Sequence, residues 1–246
     1  MLKSHYKDIF ENQDSHWWYK GMEKINTNLL SKYLFHGKSK LKILDAGCGS
    51  GAALKYLSKF GNVIGVDISD EALRFAKKRG KVRKANVSSL PFNDSSFDVV
   101  VCLDVLFHQW IINDMKAISE FSRVLKKDGI LLMREPAFDW MKSNEDVIGF
   151  TRYRYTTDSV KRKLNKSSFD IMKISYANFF LFPLVLLKRL PVVIGLKKES
   201  AVSDIYKLNR LLNFFLSLFL FVEAFILKYI NLPYGTSVIG VARKKN

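Results

Sequence analysis

Asp45 stands ahead of three alternating glycines, Gly47, Gly49 and Gly51, at the end of the apolar run 41–44. Beyond the last glycine, Ala52-Ala53-Leu54-Lys55-Tyr56-Leu57 has helical spacing, so the stretch reads as strand, tight loop, helix. Glycine admits positive φ and lets backbone N–H groups approach a ligand with no Cβ in the way, while the helix N-terminus favours anionic groups. That combination can cradle a nucleotide; the plainer alternative is a close-packed turn. A second acid, Asp67, closes the next apolar run, 63–66. In a doubly wound sheet both carboxylates would lie at the carboxyl ends of neighbouring strands, where such sheets bind ligands. An acid at the end of the second strand can accept hydrogen bonds from both ribose hydroxyls of an adenosine, so an adenosine cofactor is expected.

Asp45-Ala46-Gly47-Cys48-Gly49-Ser50-Gly51, followed by Gly65-Val66-Asp67-Ile68-Ser69, resembles the signature of class I S-adenosylmethionine-dependent methyltransferases. It differs from the dinucleotide fingerprint, in which glycines are spaced G-x-G-x-x-G. Leu90-Pro91-Phe92 with the run 96–101, and the segment 125–132, match in the expected order, so the resemblance covers roughly residues 40–136. It implies an α/β fold with a Rossmann-like, doubly wound, mostly parallel seven-stranded sheet, and S-adenosyl-L-methionine as cofactor. The positions implied to hold that cofactor are Asp45, Gly47, Gly49, Gly51, Asp67, Ile68, Asn86, Val87 and Asp104. Similar methyltransferases often carry an acid after the third strand to accept from the adenine amino group; here Asn86 stands there, and its side-chain carbonyl can accept the same bond.

Two further segments resemble the type 11 and type 12 groups of bacterial methyltransferases, many of them linked to glycan or lipid modification. His16-Trp17-Trp18-Tyr19 matches a His-x-Trp-aromatic motif ahead of the glycine loop, which implies that Trp17 and Trp18 form a lid. The alternative is a helix stapled to the domain by two indoles. Where those enzymes carry Ser-x-His-Asp and then Arg-Arg-Tyr, this chain has 143–146, with Glu145 in the histidine position, and 152–155, which makes Arg152 and Tyr155 candidates for substrate contact. A sulfonium is already a strong methyl donor, so the protein must chiefly align a nucleophile and exclude water. Should the acceptor be a hydroxyl, His108 would be the first choice of base, with Asp104 and Glu135 behind it. A lone histidine is nonetheless more often structural. The two cysteines, Cys48 and Cys102, fall in the glycine loop and an apolar run, so a disulfide, a thiol nucleophile and a metal cluster are not expected.

The elements that must position these residues follow from periodicity. Residues 1–34 read as helical, 70–78 as a helix capped by Ser69, and 81–87 as the third strand. The run 97–106 reads as a strand buried on both faces, 111–125 as an amphipathic helix, and 130–133 as a strand ending at Arg134-Glu135-Pro136. A capped helix over 156–164, a strand over 169–177 and a last strand over 237–242 complete one elaborated domain. Its expected parts are an N-terminal helical cap (1–38), a cofactor-binding core (39–136), a substrate-facing loop, helix and strand (137–180), an apolar helical insert (181–234), and a final strand with a basic tail (235–246).

The insert is the unusual part. Residues 179–196 are mostly apolar but carry Pro183, Pro191 and the pair Lys188-Arg189, which argues against a spanning helix. Residues 211–230 are long enough to span, yet Asn213 and Glu223 lie within them, and an acid is costly in hydrocarbon. On a helical wheel Arg210, Asn213, Ser217, Ala224 and Lys228 share one narrow sector, with Glu223 away from it and the other sides apolar. The readings left open are core burial, a bilayer span, and association with an anionic membrane surface aided by Lys188, Arg189, Lys197, Lys198, Arg243, Lys244 and Lys245.

The net charge of +17 in 246 residues attracts polyanions without saying which. The start of the chain lacks the apolar core of a signal peptide, so a cytoplasmic location is expected, with a peripheral place at the cytoplasmic membrane left open. The expected partner is a small-molecule, glycan or lipid-linked methyl acceptor. A nucleic-acid methyltransferase is the alternative; against it, Asp104-Val105-Leu106-Phe107 stands where amino-group nucleic-acid methyltransferases carry an Asn-Pro-Pro-Tyr-like segment. A non-catalytic domain of the same fold is the third reading, and the intact glycine loop and both acids speak against it.

Overall fold

A computed structural model describes residues 3–34, 40–141, 144–196 and 208–245. Ser143, Lys197 and Lys198, named above, lie outside these residues, as does the side chain of Glu145.

The sheet is assembled from short apolar runs. Strands β1 (Leu41–Ala46), β2 (Gly61–Asp67), β3 (Lys81–Lys84) and β4 (Phe97–Leu103) pair in parallel, as does β5 (Leu125–Pro136) with β4. β6 (Phe169–Ala177) and β7 (Ser237–Lys244) complete the order β3-β2-β1-β4-β5-β7-β6, with β7 antiparallel to both neighbours. Strand β4, in the middle, is buried through Cys102, as its nearly continuous apolar run requires when helices cover both faces. Its one acid, Asp98, accepts from the Lys42 backbone N–H at 2.9 Å and pairs with Lys126 at 3.0 Å.

Several boundaries fall short of the periodic pattern, and each has a local cause. The expected N-terminal helix is two helices, α1 (Lys3–Asn12) and α2 (Trp17–Tyr33), because His16 turns extended and caps α2 through its Nδ1, which accepts from Trp18 N–H. β3 stops at Lys84 and not at Val87, since the Asn86 side chain accepts from Ser88 N–H at 2.8 Å and turns the chain. β4 stops at Leu103 because Asp104 takes φ +56°. The fifth helix, α5 (Asp114–Val124), starts three residues later than expected, at the Asn113 cap.

Helices α3 (Ala52–Leu57) and α4 (Asp70–Ala76) follow β1 and β2, and α6 (Asn144–Gly149) and α7 (Thr157–Asn165) lie between β5 and β6. A capping box fixes the start of α7, with Thr156 and Ser159 each bonding the other's backbone N–H. The insert forms α8 (Phe182–Val193) and α9 (Arg210–Leu227). Met22, Ile25, Leu29 and Leu30 of α2 join Leu220, Ala224 and Leu227 of α9 over Val99, Val101, Leu132 and Val241, forming the core of one sheet face. Each such buried leucine or isoleucine contributes about 1.5–3 kcal/mol. Gly21 allows the close approach of α2 and α9: a Cβ there would fall 2.2 Å from Leu220 Cδ1.

Within the strip of α9 that the helical wheel singles out, Asn213, Ser217 and Ala224 face the domain. Asn213 Oδ1 accepts from Trp17 N–H at 2.8 Å, and its Nδ2 donates to Ser15 O at 2.8 Å. Ala224 O accepts from Asn28 Nδ2, and Lys228 O from Lys32 Nζ. Glu223, away from that strip, is fully buried and accepts from the backbone N–H groups of Asn178, Phe179 (2.7 Å) and Phe180 (3.2 Å), locking the end of β6 to α9. The inner side of the helix therefore mixes the core residues Leu220 and Leu227 with polar and small ones, and its outer side is apolar and exposed. That exposure sets aside complete core burial.

Candidate active site

A cavity of about 940 Å³ runs along the carboxyl ends of β1, β2 and β4 and continues to α8 and α9. Its floor is the glycine turn. Gly47 and Gly51 both hold φ +85°, and a Cβ on Gly47 would fall 2.4 Å from Val105 Cγ2, so this turn requires glycine. At Gly49 a Cβ would meet nothing within 4 Å, which leaves open space over the loop.

The two acids sit against this turn. Asp67 accepts from Gly49 N–H and Ser69 N–H, each at 2.9 Å, and so fixes both the loop and the start of α4. Asp45 is buried, and its Oδ2 has no hydrogen-bond partner. Burial, followed by the nearby charge of Asp67, pushes the Asp45 carboxyl up to about 7. Burial also raises Asp67, against the pull of its backbone hydrogen bonds. A buried carboxylate with an orphaned oxygen beside a second acid is a place for a cation.

The N-terminal helices cover the cradle. Tyr6, Ile9 and Gln13 of the first segment line the cavity, as do Trp17, Trp18 and Tyr19. With its amide oriented to satisfy both neighbours, Gln13 donates to Ser50 Oγ and accepts from Arg79 Nη2, each at 3.0 Å. Arg79 also pairs with Asp14 at 2.7 Å. The cap is thereby bolted to the glycine turn and to the chain beyond α4.

At the end of β4, Asp104 forms an ion pair with the buried Arg134, whose guanidinium lies 4.8 Å from the centre of the Trp18 ring. All three line the cavity. His108 also lines it, with Nδ1 2.5 Å from Gly149 O. A carbonyl only accepts, so Nδ1 carries the proton and Nε2 the lone pair. Burial drives His108 down to about 4.

Residues 44–133 match the family model described as a methyltransferase domain. The chain carries a class I S-adenosylmethionine-dependent methyltransferase domain. A curated protein of Methanocaldococcus jannaschii, named only as uncharacterized, is 39% identical over 99 residues, covering 40% of this chain and 42% of that protein. A ubiquinone/menaquinone biosynthesis C-methyltransferase of Campylobacter jejuni is 34% identical over 124 residues, covering 46% of this chain and 51% of that enzyme. The alignments thus take in about half or less of these relatives' length. Among solved structures, an S-adenosylmethionine-dependent methyltransferase from Thermotoga maritima superposes with a TM-score of 0.59 at 19% identity, covering 100% of both chains. That identity speaks for the fold alone.

The methyltransferase domain's cavity fits S-adenosylmethionine by its donor set: two acids for a molecule that bears cationic groups and ribose hydroxyls, and positive-φ glycines with open space above them. Asp45, Gly47, Gly49, Asp67, Ile68, Asn86, Val87 and Asp104 all line it, while Gly51 acts one step back as the left-handed residue that starts α3. Trp17 and Trp18 line it as well, serving as wall and staple together.

Three expected residues are placed elsewhere. Glu135 is fully buried beneath the turn after β4, where it accepts from Val105, Leu106 (2.9 Å) and Phe107 (3.2 Å) N–H groups, so it shapes that turn and does not act as a base. Arg152 donates to Ile112 O at 2.7 Å and packs on the Tyr153 ring. Tyr155 is fully buried with its hydroxyl 2.8 Å from Asp114 Oδ2. Both brace α5 against the segment 151–155, and their neighbours Thr151 and Arg154 line the cavity instead. Arg154 forms a buried pair with Asp146 at 2.6 Å. The pattern of the sequence also missed Arg134, Asn178 and Thr236 as cavity residues; only their polarity within apolar strands and turns could have signalled them.

Proposed function

We propose that this protein transfers a methyl group from S-adenosylmethionine to an acceptor with a large apolar body, of the lipid-linked class, presented at a membrane surface. The observation that carries this reading is the composition of one cavity: acids and glycines at one end, and Leu184, Val185, Leu212 and Leu216 of the two apolar helices at the other. An apolar wall of that extent gains nothing from a small polar acceptor. The Campylobacter jejuni relative is named for quinone biosynthesis, and quinones are apolar acceptors, which supports the same class.

When bound, the cofactor supplies an electrophilic methyl on a sulfonium. The chain's task is then alignment and exclusion of water. Asp45 and Asp67 hold the cationic and hydroxyl-bearing parts. Trp17 and Trp18 close the side of the cavity and keep water out. The Asp104–Arg134 pair, covered by Trp18, fixes the turn that carries Val105 to His108. His108 stays neutral near pH 7, so its Nε2 orients an acceptor hydrogen and takes up a proton only weakly. The reading therefore favours an acceptor atom that is nucleophilic without a strong base.

The test offers the protein radiolabelled S-adenosylmethionine with a lipid extract, an aqueous extract and total RNA of the source cells. Label in the organic phase is expected. Label only in RNA or in aqueous metabolites, from protein that binds the cofactor, would overturn the acceptor class.

A further inference from the structure

The outer side of α9 has no covering among the described residues. Leu211, Phe214, Leu218, Phe221 and Phe225 recur at three- and four-residue steps and form one exposed stripe, with Phe214 at 60% and Phe225 at 64% accessible. In α8, too, no residue is buried, and Leu184, Leu187 and Leu190 are exposed on it. A soluble surface rarely carries so large a contiguous apolar patch without a partner. The occupant must match two features, the apolar stripe and the charge around it.

That charge is positive. Arg210 stands at the start of α9, Lys228 follows its end, and Lys32 of α2 donates to the Lys228 carbonyl. Lys188 and Arg189 lie on α8, and the whole chain carries +17. Tyr229 and Tyr234 are exposed beyond the C-terminal end of α9, an amphipathic residue type suited to a headgroup layer. A second copy of so cationic a chain is repelled electrostatically, whereas an anionic lipid surface is attracted. A span across the bilayer conflicts with the inner side of the helix, which holds Trp17, Ser15 and Asn28 through hydrogen bonds and the end of β6 through Glu223. Crossing hydrocarbon would strand all of these groups.

We propose that α8 and α9 dock the protein on an anionic lipid bilayer, lying in the interface plane with the Leu211–Phe225 stripe sunk below the headgroups and the cationic residues at headgroup level. Two side chains connect this surface to the active site. Leu184 and Leu212 are 56% and 49% accessible from outside and also line the cavity. An acceptor dissolved in the leaflet reaches the cavity past them without crossing water. The docking stands on the helices alone; this access route rests on the lipid-linked reading of the acceptor.

The experiment is cosedimentation of the full chain with extruded vesicles, either of phosphatidylcholine alone or with one third phosphatidylglycerol, alongside S-adenosylmethionine binding by calorimetry. Wild type is expected to pellet with the anionic vesicles and at least fivefold less with the neutral ones. Phe214→Glu with Phe225→Glu is expected to lower partitioning at least tenfold with cofactor affinity unchanged, which shows that the fold survives. Cofactor-binding wild type that stays in the supernatant at low salt overturns the proposal. So does a double variant that pellets like wild type. A dimer by analytical ultracentrifugation that the same substitutions dissociate would assign the stripe to a second copy and overturn it equally. Vesicle binding combined with label only in RNA or aqueous metabolites would refute the acceptor class and leave the docking intact.

Discussion

Replacing Asp45 by asparagine should stabilise the cofactor-free protein at neutral pH while it weakens cofactor binding. The buried Asp45 carboxyl is raised from 3.8 to about 7 by burial and by the charge of Asp67. The unfolded chain loses this proton near pH 4, while the native protein keeps it until about pH 7. In that window the native state binds more protons, and stability falls as pH rises. At 1.36 kcal/mol per pKa unit the full penalty above pH 7 is about 4 kcal/mol. The amide that replaces the carboxyl would bring its own partly unpaired donors, worth about 1–2 kcal/mol against it. The expected net gain is thus about 2 kcal/mol at pH 8 and none at pH 4.5. Urea denaturation of both proteins without cofactor, at half-unit pH steps from 4.5 to 8, reads this directly. The difference between the two curves should grow with pH and level off above 7. A difference that is flat with pH would refute the account of Asp45 as a strained acid held for a cation. The same variant should bind S-adenosylmethionine at least tenfold more weakly by calorimetry.

Three other substitutions probe separate parts of the molecule. Gly21→Ala places a methyl 2.2 Å from Leu220 Cδ1 and should cost about 1–3 kcal/mol in chemical denaturation despite alanine's better helix propensity, with a neutral result disproving the close α2–α9 packing. Glu223→Ala leaves the backbone N–H groups of Asn178 and Phe179 without their acceptor and should cost about 3 kcal/mol, read as a lower thermal midpoint; a loss below about 0.5 kcal/mol would mean that water replaces the carboxylate freely. His108→Gln should slow methyl transfer less than about tenfold and leave the pH profile between 5.5 and 8 unchanged in shape, because the imidazole already sits near 4. Disappearance of a limb near pH 6.5 in that variant would instead identify His108 as a titrating base.

The cofactor end was legible in the sequence because its chemistry is local. Gly47 and Gly49 act through positive φ, Asp67 through hydrogen bonds to Gly49 and Ser69, and Asp45 through its place two residues ahead of the turn. The mostly parallel seven-stranded sheet was legible too, through the resemblance carried by residues 40–136, while the order of its strands came from the structure. The acceptor end was not legible. Whether Arg152 or Arg154 faces the cavity is set by the contacts of His108 with Thr151 and of Ala137 with Tyr155, pairings made by chain distant in sequence. Arg152 and Arg154 would share one face of a regular strand, and Thr151 and Arg154, which line the cavity together, would not, so strand alternation could not tell them apart. Glu135 was misread because its partners, the N–H groups of Val105 to Phe107, leave no mark in composition. The α9 wheel located the polar strip correctly, but only the structure tells which side of such a helix is turned to the protein.

The position of β7 bears on how the chain assembles. Among the described strands β6 has β7 as its sole neighbour in the sheet, and β7 lies downstream of both apolar helices. During synthesis, therefore, α8 and α9 leave the ribosome while β5 still has an open edge and β6 has nothing to pair with. Ile130 meets Arg243, and Phe169 meets Lys244, only after this apolar stretch has been made. Such non-local pairing is slow to form, and it leaves aggregation-prone surface exposed in the interval. A surface able to shelter the apolar helices at that stage would serve as a folding aid to the nascent chain, before the finished protein has any acceptor to meet.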